Sequence, residues 1–478
     1  MNKLNKIKYA GLTCVLISLA SCSIPSVVTR EENKTTPAVF ANETNDTLNT
    51  AKTQWKSYFT DSNLSTLIDT ALKNNQELNI NMQELIIAQS EVRARKGEYL
   101  PFVNLGASAG VDKVGRFTNI GASEANTEIK DGIETPDPLQ DYKIGAFATW
   151  EADIWGKLHN AKKAAVGRYL ASVEGRNFVQ TNLIAEIANS YYELLALDNQ
   201  LDIVKQNIDI QTNALVIVKL QKESARVTEL AVRRFEAQVL KTRGMQFSIQ
   251  QQITETENKI NFMVGRFPQA IAREHKSFEK LVPTKVNAGI PSQLLENRPD
   301  IKQAEMELLA ANLDIKVAKA RFYPSVSISA GIGFQAFNAK YLLSTPESLL
   351  YSFAGDLVAP LINRNAIKAS YISANAKQIQ AVYNYERTLV NAYVEVANQL
   401  SKIKNMQQSF ELKSQEVEAL NQSVGISNDL FKSARADYME VLLTQRDALE
   451  SKFELIETKK SQMNAFVDIY RALGGGWN

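Results

Sequence analysis

Residues 325–335 read SVSISAGIGFQ, and this stretch decides the fold. Every second side chain from Val326 to Phe334 is apolar, and the side chains around them are Ser, Gly or Gln. Residues 103–112, VNLGASAGVD, show the same alternation. Because successive side chains of a strand point to opposite faces, this period of two predicts strands with one apolar face and one small, polar face. Alternation at 144–150 and 351–357 predicts their return strands.

The polar face of the predicted strands carries Ser and Gly rather than Lys and Glu. Strands of about ten residues with this pattern are typical of a membrane β-barrel, in which one face meets lipid and the other a wet lumen. A half-buried strand on the sheet of a soluble protein is the alternative. If the four strands cross a membrane, the chain has to oligomerise, because the smallest single-chain barrels use about eight strands.

Outward from these strands, the chain repeats itself. Residues 88–101 are similar to residues 311–324, and a Ser-Ala-Arg triplet recurs at 224–226 and 433–435. This indicates an internal tandem duplication in which each half has a helix, a β-hairpin and a helical hairpin. The first repeat is predicted over 61–285, with its β-hairpin at 102–151 and its helical hairpin at 157–264. The second is predicted over 286–478, with a helix at 294–321, a β-hairpin at 325–361 and a helical hairpin at 364–473.

The composition favours long helices and argues against several function classes. Gly (21 of 478 residues) and Pro (12) are both scarce, and no proline interrupts residues 157–222. The formal net charge of +2 argues against nucleic acid as a partner. Two His and two Cys are too few for a zinc site, and no catalytic arrangement of side chains stands out, so neither an enzyme nor a cofactor is expected. Arg298-Pro299-Asp300 is interpreted as the start of a helix rather than as a catalytic motif.

The N-terminus is typical of a bacterial lipoprotein. Lys3, Lys6 and Lys8 precede a short, mainly apolar stretch at 10–19, which ends in Leu19-Ala20-Ser21-Cys22. Residues 1–21 are therefore predicted to be a signal peptide and Cys22 the lipidated residue. The alternative is a signal peptide without lipidation, cut near Ala20. Residues 22–60 are predicted to form an extended arm.

Several motifs occur in a fixed order: EADIWGK at 151–157, IPSQLLENRPDI at 290–301, AKARFYPS at 318–325, PLINR at 360–364 and YRALGGGW at 470–477. In this order the chain resembles the TolC-like outer-membrane factors, in their lipoprotein efflux branch, over about residues 55–477. The resemblance implies a mainly α fold with membrane β-strands. It also implies a homotrimer, with a twelve-stranded β-barrel in the outer membrane and a long α-helical barrel in the periplasm.

The resemblance also implies a function. The trimer would be the passive exit duct of a tripartite efflux pump for drugs or other small molecules. Its partners would be a periplasmic adaptor (membrane fusion) protein, an inner-membrane pump expected to be driven by protons, and outer-membrane lipid. Two alternatives are an exit duct for type I protein secretion and a structural lipoprotein that tethers the envelope layers.

The two helical-hairpin tips are predicted to dock the adaptor and to gate the duct. Relatives usually have Gly where this chain has Ala225 and Ala434, and often an acidic residue where it has Leu443. Met439 and Leu443 share a helix face, and either narrow the duct as an apolar ring or pack within the hairpin as core. The residues assigned to the tips are Ser224, Ala225, Arg226 and Thr228 in the first hairpin, and Ser433, Ala434, Arg435, Asp437, Met439, Glu440, Leu443 and Arg446 in the second.

Overall fold

The computed structural model describes residues 24–28, 30–40, 48–275, 278–283, 286–360, 362–433 and 435–477. The predicted signal peptide, Cys22 and Ala434 lie outside these ranges. The chain forms two compact units. The first contains the N-terminal residues up to Glu31, Ile86–Leu170 and Met306–Tyr383, and the second contains Glu32–Leu85, Ala171–Glu305 and Asn384–Asn478.

Long helices dominate the described residues. None of these helices has both the length and the apolar character needed to cross a membrane. Their bounds are α1 (Trp55–Tyr58), α2 (Ser62–Asn74), α3 (Gln76–Glu98), α4 (Asn119–Glu124), α5 (Lys157–Glu223), α6 (Glu229–Val264), α7 (Leu294–Asn297), α8 (Pro299–Ala320), α9 (Asn365–Lys432) and α10 (Tyr438–Ala472).

The first unit contains an antiparallel sheet of four strands in the order β1-β4-β5-β6, beside a two-stranded ribbon of β2 and β3. Among the described residues, β1 and β6 each pair with one strand only. The strands are β1 (Phe102–Asp112), β2 (Glu128–Lys130), β3 (Ile133–Glu134), β4 (Leu139–Ala152), β5 (Ser325–Ala336) and β6 (Leu349–Val358).

The register places the predicted apolar positions of all four long strands on one face of the sheet. Val103 lies opposite Ala148, Ala148 opposite Ala330, and Ala330 opposite Phe353. Between Val103 and Val111, Tyr142 and Ala152, Val326 and Ala336, and Leu349 and Leu357, this face carries no charged side chain. It is nevertheless open to solvent, since Leu105 is 88% exposed and Phe353 78% exposed.

The opposite face carries larger side chains than the sequence prediction gave it, among them Lys143, Phe147 and Glu151. Phe147 lies there among small residues, and its ring covers Gly331, where a Cβ atom would come within 2.9 Å of the ring. The ammonium group of Lys143 lies 4.6 Å from the centroid of the same ring. Glycine at 331 therefore leaves room for one large aromatic side chain on a face that was expected to be small and polar.

The predicted helix over 294–321 is divided into α7 and α8 at Arg298. Arg298 has extended backbone angles (φ −87°, ψ 118°) because the proline that follows it disfavours the α conformation. Its buried guanidinium group pairs with Asp300 (2.6 Å) and Glu395 (2.8 Å) and donates to the carbonyl of Ala472 (2.8 Å). The motif thus has a structural role that ties α8 to the end of α10.

The predicted extended arm over 22–60 is helical near its end. Helix α1 brings Trp55 and Tyr58 into the main core of the second unit. The Tyr58 ring stacks on Phe466 (4.3 Å) and Tyr470 (4.2 Å), and its hydroxyl donates to the Phe466 carbonyl. Burial of these aromatic rings explains why this part of the chain leaves the extended conformation.

Candidate functional site

The first tip, residues 218–236, turns back through a helix stop of the Schellman type. The amide of Arg226 donates to the carbonyl of Gln221, and the amide of Ala225 donates to that of Lys222 (both 2.9 Å). Ala225 has a left-handed backbone (φ 53°), which this motif requires at that position and which glycine adopts with less strain. The alanine noted in the sequence therefore occupies a strained position.

Ion pairs join the two helices of the first tip. Lys219 of α5 pairs with Glu236 of α6 (3.1 Å), and Lys222 of α5 pairs with Glu229 of α6. Arg233 links the two acids along α6, at 2.8 Å from Glu229 and 2.9 Å from Glu236. The five charges alternate in sign, and two of the four contacts join the last turn of α5 to the first turns of α6.

This network shifts the ionisation of its acids. The hydrogen bond from Lys222 lowers the pKa of the Glu229 carboxyl, and the hydrogen bond from Lys219 lowers that of Glu236. All of these side chains face water, where individual pairs contribute little and are screened by salt. The network therefore responds to pH and ionic strength.

The second tip, residues 427–446, has the same turn but a different helix start. The amide of Arg435 donates to the Leu430 carbonyl (2.9 Å), which corresponds to the Arg226 contact of the first tip. The carboxylate of Asp437 caps α10 by accepting from the amides of Met439 (2.6 Å) and Glu440 (3.0 Å). In the first tip, Thr228 precedes α6 without a side-chain cap. Within the chain, the Asp437 carboxylate therefore binds the first turn of its own helix, α10.

The two tips meet through apolar side chains. Val441 of the second hairpin lies in a buried cluster with Val218, Val232 and Phe235 of the first. A further contact joins the Arg234 guanidinium to the sulfur of Met439 (3.3 Å). Leu442, Phe431 and Tyr438 also pack against the cluster.

Leu443 lies outside that cluster and is 40% exposed, whereas Met439 is half-buried. Within one chain, Leu443 therefore lies outside the apolar cluster of the tips, whereas Met439 contacts Arg234 of the other hairpin.

The arginines of the tips fall into two groups. Arg226 and Arg435 are exposed and, within the residues that the structure describes, form no ion pair. Arg446 pairs with its neighbour Asp447 (2.9 Å) rather than with another helix of the chain. The exposed polar residues among the predicted tip residues are Ser224, Arg226, Thr228, Ser433, Arg435, Asp437, Glu440 and Arg446.

The sequence analysis missed the ion-pair network of the first tip. The spacing of Glu229, Arg233 and Glu236 at i, i+4 and i+7 could have indicated pairs along one helix. The pairs that involve Lys219 and Lys222 depend on the register between α5 and α6, which the sequence pattern does not specify.

Comparison with known proteins gives a consistent result. The family model described as "outer membrane efflux protein" matches residues 67–266 and 290–475. The pyoverdine export outer membrane protein OpmQ of Pseudomonas aeruginosa is 27% identical over 424 residues, which are 89% of this chain and 87% of OpmQ. The probable outer membrane lipoprotein SilC of Salmonella typhimurium is 26% identical, over 95% of this chain and 93% of SilC.

A solved structure of the CusC channel superposes with a TM-score of 0.80 at 25% identity, over 95% of this chain and 100% of that one. The predicted fold class, mainly helical with membrane β-strands and an internal duplication, is thereby confirmed. The resemblance stated from the sequence motifs is confirmed as well.

Proposed function

The chain belongs to the outer membrane efflux protein family and is an outer-membrane exit duct, and we propose that it serves a tripartite pump for small molecules. A periplasmic adaptor and a proton-driven inner-membrane pump would deliver the cargo, and the duct itself would catalyse no reaction. The names of the relatives support small cargo: OpmQ is named for pyoverdine export and CusC for cation efflux. They favour this function over protein secretion.

The observation that carries the proposal is the uncharged, exposed face of the four-stranded sheet. Exposed apolar surface of this extent is stable against lipid and unfavourable against water. Aromatic rings lie at the strand ends next to the helices: Trp155 stacks on Tyr323 (4.7 Å), and the Trp150 indole donates to the Tyr99 carbonyl (3.2 Å). Aromatic girdles at the membrane surface are a general feature of outer-membrane barrels.

The unpaired edges of β1 and β6 support a homotrimer. A sheet of four strands does not close on itself, and an open edge leaves backbone groups without hydrogen bonds in lipid. Three copies would join β6 of one chain to β1 of the next and give twelve strands. We therefore propose that the barrel exists only in the trimer.

A pair of substitutions on β5 tests the orientation of the sheet. Ile332→Arg places a charge on the lipid-facing side and should reduce trimer stability by ~2–4 kcal/mol. Ser329→Arg, on the other side of the same strand, should be tolerated. Heat resistance of the trimer on semi-native gels measures both, and equal losses would contradict the assignment.

Cys22 is proposed to carry the lipid. It lies outside the described residues, but Ile24 and Val27 pack against Phe322 and Tyr371, just before β5 begins at Ser325. The described residues that follow Cys22 are therefore held close to the start of β5. The name of SilC supports a lipoprotein. Cys22→Ser should abolish labelling by a fatty-acid analogue, and persistent labelling would contradict lipidation at this residue.

The tips are proposed to dock the adaptor and to form the gate, with three copies each of Met439 and Leu443 as an apolar constriction. An apolar ring closes a duct by excluding water.

Single-channel conductance in planar bilayers is the decisive test of the duct. Leu443→Asp should raise or reshape the current, whereas Leu442→Asp, at a residue packed against the tip cluster, should reduce the yield of folded trimer. Unchanged current in a folded Leu443→Asp trimer would exclude the ring.

A further inference from the structure

A pocket of about 560 Å³ lies in the second unit, between the segment around residue 282 and helices α9 and α10. Pockets of about 300–1,000 Å³ are the size that small molecules occupy in proteins. Its apolar wall is formed by Leu281, Val282, Val286, Ile403, Phe410 and Phe466. Because Phe466 also stacks on Tyr58 in the main core, the base of the pocket is part of a firmly packed region.

Lys459 is one of the residues that line this pocket. Its environment is unusual for a lysine, because the residue is only 3% exposed. Its ammonium group donates to the Leu281 carbonyl and to the Gln462 side-chain oxygen (3.1 Å), and it lies 4.6 Å from the Phe410 ring centroid. Among the described residues it makes no ion pair, and the carboxylate of Glu279 acts on it only from beyond ion-pair distance. All of its partners are therefore neutral.

A buried ammonium group without a counter-ion is unfavourable, because neutral acceptors replace only part of its hydration. Consistent with this, burial lowers the pKa of Lys459, although the charge of Glu279 opposes the shift. Lys404 and Glu411 also line the pocket, but both are exposed and their charges cancel. The remaining positive charge of the pocket is that of Lys459.

We propose that the Lys459 pocket binds a small amphipathic carboxylate. The carboxylate would accept a hydrogen bond from the Lys459 ammonium and compensate its charge, and the apolar body would pack against Ile403 and Phe410. All residues that line the pocket belong to the second unit.

Equilibrium dialysis of 2-naphthoate against the purified full-length protein in amphipol tests this proposal. The naphthyl fluorescence reports the bound fraction. Saturable binding is expected for the unmodified protein, and 2-naphthalenemethanol, a neutral molecule of similar size, should bind at least about tenfold more weakly, as expected when a charge-assisted hydrogen bond is lost.

Lys459→Met removes the charge, keeps an unbranched side chain of similar length and should weaken 2-naphthoate binding by about tenfold or more. Lys460→Met is the matched control, because this neighbouring lysine pairs with Glu457 (2.7 Å) and does not line the pocket. It should bind as the unmodified protein does.

Absence of saturable binding to the unmodified protein, or equal binding by Lys459→Met, would overturn the proposal. If Lys459→Met fails to assemble on size-exclusion chromatography, Ile403→Trp decides instead, since it fills the pocket and leaves Lys459 in place. Loss of binding in that variant supports the site, and retained binding excludes it.

Discussion

The two helical-hairpin tips come from one duplicated segment and share an apolar cluster, yet three corresponding positions beside the turn differ in chemistry. At an offset of 209 residues, Lys222, Glu229 and Arg233 of the first tip correspond to Phe431, Tyr438 and Leu442 of the second. The first three residues form ion pairs, and the last three pack against an apolar cluster. The hydrogen bonds from Arg226 to Gln221 and from Arg435 to Leu430 are equivalent, while these three side chains have changed from charged to uncharged.

This difference shows that the hydrogen bonds of the turn and the side-chain contacts beside it are determined separately. The hydrogen bonds to Gln221 and Leu430 recur because they satisfy carbonyl groups at the end of any helix. The contacts between the helices are free to diverge, because either ion pairs or apolar packing bring two helices together. We therefore expect acid and salt to act on the ion pairs of the first tip, and truncation at the corresponding uncharged positions to act on the second.

The largest expected effect is that of Phe431→Ala in the second tip. Complete burial of a phenylalanine makes its truncation cost ~3–5 kcal/mol, and the half-buried Phe431 should lose about half of that. Hydrogen–deuterium exchange of peptides from 425–445, followed by mass spectrometry, measures the loss of protection.

The matched control is Lys222→Ala, at the corresponding position of the first tip. It removes one exposed ion pair and should change exchange only slightly. Equal effects of the two substitutions would show that the tips do not differ in the way described.

A second comparison concerns the starts of α6 and α10. Asp437→Ala removes two accepted hydrogen bonds and should destabilise the first turn of α10 by ~1 kcal/mol. Thr228→Ala should have a much smaller effect, because the Thr228 side chain makes no capping hydrogen bond. Exchange at the amides of Met439 and Glu440 measures the first effect, and unaltered protection there would contradict the capping role.

The sequence predicted the parts of this molecule that local pattern determines. Alternation of apolar residues predicted the strands, and the observed register joins Val103, Ala148, Ala330 and Phe353 on one face. The recurrence of Ser-Ala-Arg predicted where both hairpins turn. In each case neighbouring residues carry enough information, because side-chain period and turn chemistry are local properties.

Contacts between distant residues could not be predicted in the same way. The pairing of Lys219 with Glu236 requires the register of two long helices, and Lys459 loses its water only when the segment around Leu281 covers it. The position of the Phe147 ring over Gly331 could not be predicted, because the alternating pattern indicates only that residue 331 is small. Such features depend on tertiary packing rather than on periodicity.

A third prediction concerns the strained Ala225. Ala225→Gly should stabilise the first tip by about 0.5–1 kcal/mol, since glycine adopts a φ of 53° without a Cβ clash, although its unfolded state is more flexible. Ala231→Gly, in a helical position of the same tip, should have the opposite sign. Exchange protection around residues 220–232 distinguishes the two, and a destabilised Ala225→Gly variant would contradict the strain.

The smallest expected effect is a pH response confined to the first tip. The pKa values of Glu229 and Glu236 are lowered in the folded state, so their contribution to stability is complete above the ordinary glutamate value of ~4.3 and is lost as the pH falls through the lowered values. Acidification should therefore increase exchange in peptides around residues 218–236. Asp437→Asn serves as the background, because asparagine caps a helix equally well and does not titrate, so the cap of α10 is unaffected by acid. Adding Glu229→Gln and Glu236→Gln should remove the response of the first tip, and a response that persists would place its origin outside the ion-pair network.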